Sequence, residues 1–316
     1  MRQAESAARR RWMRVARWAF LALVVAFAWW GLWGREDELL EALRSISPWR
    51  VLAALALVLV GIAATGSAWL ALLGAFGRRL PGTAGRAVFF LGQLGKYIPG
   101  GVWSMGAHAE LARAHDVPVR TTVSTSLVFL GVNLATGGLV ASVCALLGAT
   151  TVDVPRWVLW SVLVGALVAL TPPVVNRGGS LLAGADGLRV TVGVLARIAA
   201  VQTLTWSCYA AALTVLAPSP DWQLLGLAAG AFTASYAIGV LVVVAPAGLG
   251  ARDVTLVALL APVLGLPTAT AVALVTRVLH TVGDLLLALA AWSVARRRRV
   301  GTDGQSALEY HMSSRA

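Results

Sequence analysis

The sequence predicts an all-α, polytopic integral membrane protein, and three observations carry that reading. Of 316 residues, 58% are apolar and only 13% charged, about half the charged share of a soluble domain. Six stretches, 18–34, 51–77, 121–152, 157–176, 198–220 and 222–251, contain no Asp, Glu, Lys or Arg. About 20 apolar residues cross the roughly 30 Å hydrocarbon layer as a helix, so these are the candidate spans. The basic residues alternate along the chain in the manner of cytoplasmic and outer loops.

That alternation sets the topology. Six Arg lie in 2–17, five in 78–120, three in 177–197 and five in 296–315, against four in the intervening loops at 35–50, 149–156 and 217–221. Acids such as Glu36, Asp37, Glu38, Glu41, Asp153 and Asp221 dilute those four. Cytoplasmic loops retain Lys and Arg, so both termini are expected in the cytoplasm and the number of crossings is even. The predicted organisation is a basic cytoplasmic tail over 1–16, one transmembrane domain over 17–295 and a basic, disordered cytoplasmic tail over 296–316. The location implied is the cytoplasmic membrane. The formal charge of +12 is explained by this distribution, and a nucleic-acid partner is not needed to account for it.

Taken in order, the span 18–34 ends in Trp29, Trp30 and Trp33 and reads as a retained anchor, since it lacks an A-x-A-type cleavage site. Residues 36–46 alternate acidic and apolar faces and predict a short interfacial helix. Segment 87–109 is apolar but holds five Gly and Pro99, which break a continuous helix. It is expected to be a cytoplasm-facing re-entrant element. Segment 246–267 is punctuated by Pro246, Gly248, Gly250, Pro262 and Pro267 and is expected to be a broken seventh crossing. The stretch 268–295 then returns to Arg296–Arg299, giving about eight crossings in all. Trp49, Trp157, Trp160, Trp222 and Trp292 sit at span ends, as headgroup-level Trp does, whereas Trp69 and Trp206 read as packing residues. Cys144 and Cys208 fall inside spans and read as small apolar residues. Asn133, Gln202 and Tyr236 read first as interhelical hydrogen-bond partners.

No enzyme signature is present. GQLGKY at 92–97 lacks the spacing and the Ser or Thr of a phosphate-cradling loop, and His108 and His115 have no partner motif. No cofactor or metal is implied. The informative residues are the ionisable ones inside the apolar segments, because a charge at the bilayer centre costs several kcal/mol and is retained for function. Arg277, His280 and Asp284 stand at i, i+3 and i+7, within about 60° on one helix face. This stripe either serves a ligand or is an internally neutralised Arg–Asp pair that locks helices together. GKYIPGG at 95–101 places Lys96, the single Lys of the chain, beside a Pro-Gly-Gly kink. PAGLGARD at 246–253 offers backbone amides as an anion nest with Arg252 beside it. There Asp253 either neutralises Arg252 or accepts a proton. Interrupted apolar segments in two halves of a transporter point to its binding site, although either kink also has a purely architectural reading.

The two motifs, their order and their separation resemble the lysylphosphatidylglycerol synthase transmembrane-region family, over roughly residues 15–295. The early motif maps onto Lys96, Tyr97, Pro99 and Gly100, and the late one onto Pro246, Gly248, Gly250, Arg252 and Asp253. The resemblance implies translocation of an anionic phospholipid or lipid-linked phosphate headgroup. Lys96, Tyr97, Pro99, Gly100, Gly248, Gly250, Arg252 and Arg277 are the expected headgroup-binding residues, with Asp253, His280 and Asp284 balancing charge or moving protons. The chain lacks the soluble aminoacyl-transferase domain of the bifunctional members, so lipid aminoacylation is not expected. The expected partners are membrane lipids. The alternative is a non-catalytic membrane partner of a cell-envelope lipid-synthesis enzyme, and a small-solute permease has less support.

Overall fold

The computed structural model describes residues 34–98, 103–184, 189–241 and 250–313, with side chains through Arg297. The span 18–34, its three Trp and the basic N-terminal segment lie outside the described residues. Among those described, all regular structure is helical. The elements are α1 (Glu36–Ser45), α2 (Pro48–Ala75), α3 (Gly82–Gln93), a 3₁₀ turn (Leu94–Tyr97), α4 (Trp103–Arg113), α5 (Val119–Leu146) and α6 (Arg156–Ala169). They continue with α7 (Pro172–Ala183), α8 (Val192–Leu216), α9 (Trp222–Leu241), α10 (Ala251–Leu264) and α11 (Leu266–Ser313).

Helices α2, α5, α8, α9 and α11 are each long and apolar enough to cross a membrane, which makes this a multi-pass membrane protein. The expected straight span at 157–176 is instead a bent pair: α6 and α7 meet at 67°. Thr171, which precedes Pro172 and Pro173, adopts an extended ψ of 142°. Pro lacks the N–H that would continue the helix, and the residue before it avoids the α region. Counting the bent pair as one span, six of the eight expected crossings are matched by helices. Of the other two, 18–34 lies outside the described residues, and the broken crossing appears as α10. At 14 residues, α10 reaches about 21 Å, short of the hydrocarbon thickness. The predicted interfacial helix is present as α1, with Glu36, Asp37 and Glu38 in its first turn and no buried residue. The backbone of α11 stays helical through Ser313, where a disordered tail is expected from the sequence, because adding residues to a formed helix costs far less than nucleating one.

The bundle is built on two axes. Helices α2 and α8 form the most extensive pair, with α9 and α5 beside them. Their approach depends on Gly61, where a Cβ would coincide with the Tyr209 ring, and small residues are what bring membrane helices together in the absence of a hydrophobic drive. Thr205 Oγ1 donates to the Gly61 carbonyl at 3.3 Å across this seam. Trp69 and Trp206 are buried as expected, and each indole N–H reaches a hydroxyl on α5: Ser126 at 3.2 Å and Thr136 at 3.1 Å. Gln202 donates to Asn133, joining α8 to α5, whereas Tyr236 contributes a ring contact on Trp206 at 5.1 Å. Trp49, Trp157, Trp160, Trp222 and Trp292 are exposed, as headgroup-level residues are.

The second axis is α11. It packs against α1, α2, α3, α10 and the 3₁₀ turn, so both Gly/Pro-interrupted segments end on the same helix. Substituting Gly61→Ala is expected to lower stability by about 1–3 kcal/mol through overpacking. Gly131→Ala, where a Cβ meets nothing within 4 Å, should leave stability unchanged or raise it. Thermal unfolding in detergent measures both, and equal midpoints for the two variants would contradict the close-packed α2–α8 seam.

Candidate functional site

The early motif positions Lys96 through a local helix break. α3 ends at Gln93, and the chain tightens into the 3₁₀ turn that carries Lys96 and Tyr97. Gly95 permits this geometry: a Cβ there would lie 2.7 Å from the Trp103 carbonyl oxygen and 2.8 Å from the Ser104 nitrogen, so only glycine lets the turn close on α4. Lys96 Nζ then lies 2.6 Å from Asp284 Oδ2 on α11. The Tyr97 hydroxyl donates to the same oxygen, also at 2.6 Å. Asp284 is 3% exposed, and two donors converge on its buried carboxylate.

The late motif builds a second pair one to two turns away along α11. Gly250, with φ of 91°, opens α10 in a conformation that disfavours any residue with a Cβ. Asp253 accepts from Arg277 Nη1 at 2.6 and 2.9 Å and from the Gly250 N–H at 3.3 Å. Arg252 makes no ion pair with either carboxylate and lies over the Phe232 ring of α9, 4.6 Å from its centroid. Gly239 makes room for this approach, since a Cβ there would be 2.9 Å from Arg252 Cβ. His280 stacks on Phe232 at 5.5 Å and meets the edge of Tyr209 at 4.7 Å.

Placement of the expected residues is therefore mixed. Lys96, Tyr97, Gly250, Arg252, Asp253, Arg277, His280 and Asp284 gather on and around α11. Pro99, Gly100, Pro246 and Gly248 lie outside the described residues. The Arg277–His280–Asp284 stripe exists, but its charges do not neutralise each other: Arg277 turns to α10 and Asp284 to the 3₁₀ turn. Of the two readings of Asp253, neutralising Arg252 or accepting a proton, the ion pair with Arg252 is not formed, and Arg277 takes the carboxylate. At the amide nest, the Gly250 N–H is occupied by Asp253, so that one donor is not free for an anion. Phe232 and Tyr209, which the sequence reading passes over, supply the aromatic surface under Arg252 and His280. No local pattern marks them, since they come from two different spans.

Chemically, two ion pairs each join α11 to an interrupted segment. An ion pair at membrane depth is exchangeable only for another partner of the same sign, since removing one member leaves an uncompensated charge. Carboxylates thus hold two of the three cations, Lys96 and Arg277.

The sequence model of the family described as "Lysylphosphatidylglycerol synthase TM region" matches residues 15–288. No curated protein matches the chain.

A double-mutant cycle on Arg277→Gln and Asp253→Asn, read by thermal stability, should give a coupling between about 0.5 and 3 kcal/mol. The double variant should be more stable than the sum of the single losses predicts. Strict additivity would mean that the pair contributes nothing.

Proposed function

Because the chain belongs to the lysylphosphatidylglycerol synthase transmembrane-region family, we propose that it is a lipid flippase or scramblase-like transporter. Its cargo is an anionic phospholipid or lipid-linked phosphate headgroup, moved across the cytoplasmic membrane. One observation carries this reading: Lys96 and Arg252 from the two interrupted segments and Arg277 of α11 lie in one cluster, with Asp253 and Asp284 as the only acidic partners of Lys96 and Arg277 among the described residues. Family membership supports lipid handling, and three cations at membrane depth suit a phosphate.

The mechanism follows from charge conservation. Without lipid, Asp284 holds Lys96 and Asp253 holds Arg277. An arriving phosphate adds a third anion to the three cations, so Lys96, Arg252 and Arg277 can exchange partners among Asp253, Asp284 and the phosphate without leaving a bare charge in hydrocarbon. The acyl or prenyl tails stay in the bilayer while the headgroup passes α11. The helix–turn–helix of α3 and α4 acts as a re-entrant hairpin open to the cytoplasm, and both termini lie on that side. Releasing Asp284 loosens the 3₁₀ turn from α11, and releasing Asp253 loosens α10. These are the contacts that differ between an inward-open and an outward-open state, and only such differences let a ligand shift the equilibrium between them.

The test is reconstitution of the full chain into liposomes with a trace of fluorescent anionic phospholipid, followed by chemical quenching of the outer leaflet. Wild-type protein should expose inner-leaflet label to the quencher. Lys96→Ala should slow this by about tenfold or more, the loss expected for a hydrogen bond to a charged group. If folded wild-type protein leaves the distribution of every anionic lipid unchanged, the transport reading fails.

A further inference from the structure

The site holds one cation more than its carboxylates can balance. Lys96 and Arg277 take Asp284 and Asp253, while Arg252 makes no hydrogen bond or ion pair among the described residues and lies over the Phe232 ring. The adjoining stretches 99–102 and 242–249, PGGV and VVVAPAGL, contribute no ionisable side chain. Among the described residues the cluster therefore carries a net charge of +1, and Arg252 is the cation without a carboxylate in an ion pair.

The same Phe232 ring carries His280. His280 Nδ1 lies 2.8 Å from the Thr276 carbonyl oxygen. A carbonyl only accepts, so Nδ1 bears the hydrogen, and in the uncharged ring Nε2 is left as an acceptor. Among the described residues that buried Nε2 has no partner, and neither does the buried Thr276 Oγ1 one turn earlier on the same helix. Buried polar atoms in folded proteins are paired nearly without exception. An empty acceptor and a guanidinium with no ion-pair partner among the described residues meet on one aromatic ring, which describes a ligand with two features: a negative charge and a hydrogen-bond donor.

We propose that Arg252 and His280 are the specificity-determining residues of the headgroup site and select a phosphodiester of single negative charge whose alcohol portion carries a hydrogen-bond donor. This rests on the lipid-transport reading above. The phosphate seats on Arg252 and makes the cluster neutral. The headgroup hydroxyl or amine donates to His280 Nε2. A phosphomonoester brings a second charge that the cluster does not balance, and a choline-type headgroup brings no donor.

The decisive comparison uses the wild-type full chain in liposomes with two acyl-labelled lipids, phosphatidylglycerol and phosphatidylmethanol. Both are phosphodiesters of one negative charge, and only the first has headgroup hydroxyls. Leaving a buried acceptor unfilled slows the second by about tenfold, so the expected ratio of rates is about ten. His280→Phe should bring the ratio close to one, and His280→Gln, which keeps an acceptor, should restore part of it. Equal wild-type rates, or an unchanged ratio in a folded His280→Phe variant, overturn the assignment while leaving transport intact. If neither lipid moves, the transport reading falls with it. The wild-type ratio decides the question by itself should the variants fail to fold.

Discussion

The structure depends on one constraint: an ionised side chain at membrane depth must be matched where it stands. Asp284 satisfies it most completely, with an ammonium and a phenol hydroxyl at 2.6 Å on one oxygen. Those two donors arrive on a 3₁₀ turn whose buried Gly95 packs closely on the start of α4. The carboxylate thereby fixes the place of the early interrupted segment. Asp253 does the same for the late one through Arg277. The two helix breaks and the two ion pairs are parts of one arrangement, since each break supplies the charge that the other element needs.

This gives α11 its dual character. One part of its surface packs as an ordinary span against α2, with Gly283 close to Ile62 and Val58. Another presents Arg277, His280 and Asp284, each engaged with a different element. A helix so arranged ties both interrupted segments to one element, because Asp284 holds the 3₁₀ turn and Arg277 holds α10. The α2–α8 pair plays the opposite role. Its seam of glycine, threonine and aromatic residues is neutral and tightly packed, a suitable fixed reference for movement elsewhere in the bundle.

Arg252 and His280 differ from the rest of the cluster in being incompletely satisfied. Their neighbours Phe232 and Tyr209 offer a ring face and a ring edge, which hold a cation and an imidazole without consuming their hydrogen bonds.

The sequence by itself determined the membrane class, the positions of most spans, the two interrupted segments and the identity of the ionisable residues within them. These follow from hydropathy and from Gly and Pro, whose effects are local and carry over from one chain to another. The pairing of those residues was decided by tertiary structure alone. Spacing on one helix puts Arg277 and Asp284 on a common face, yet their partners come from α10 and the 3₁₀ turn. The sequence lists Asp253 beside Arg252, yet the carboxylate turns to a residue 24 positions away. The bend between α6 and α7 was written in Thr171, Pro172 and Pro173 and was masked by uniform hydropathy. Phe232 and Tyr209 left no such trace, because which rings face a cation depends on how spans cross. Charge balance in a low-dielectric interior is a three-dimensional condition, and a linear pattern states which charges must be matched without stating by which neighbour.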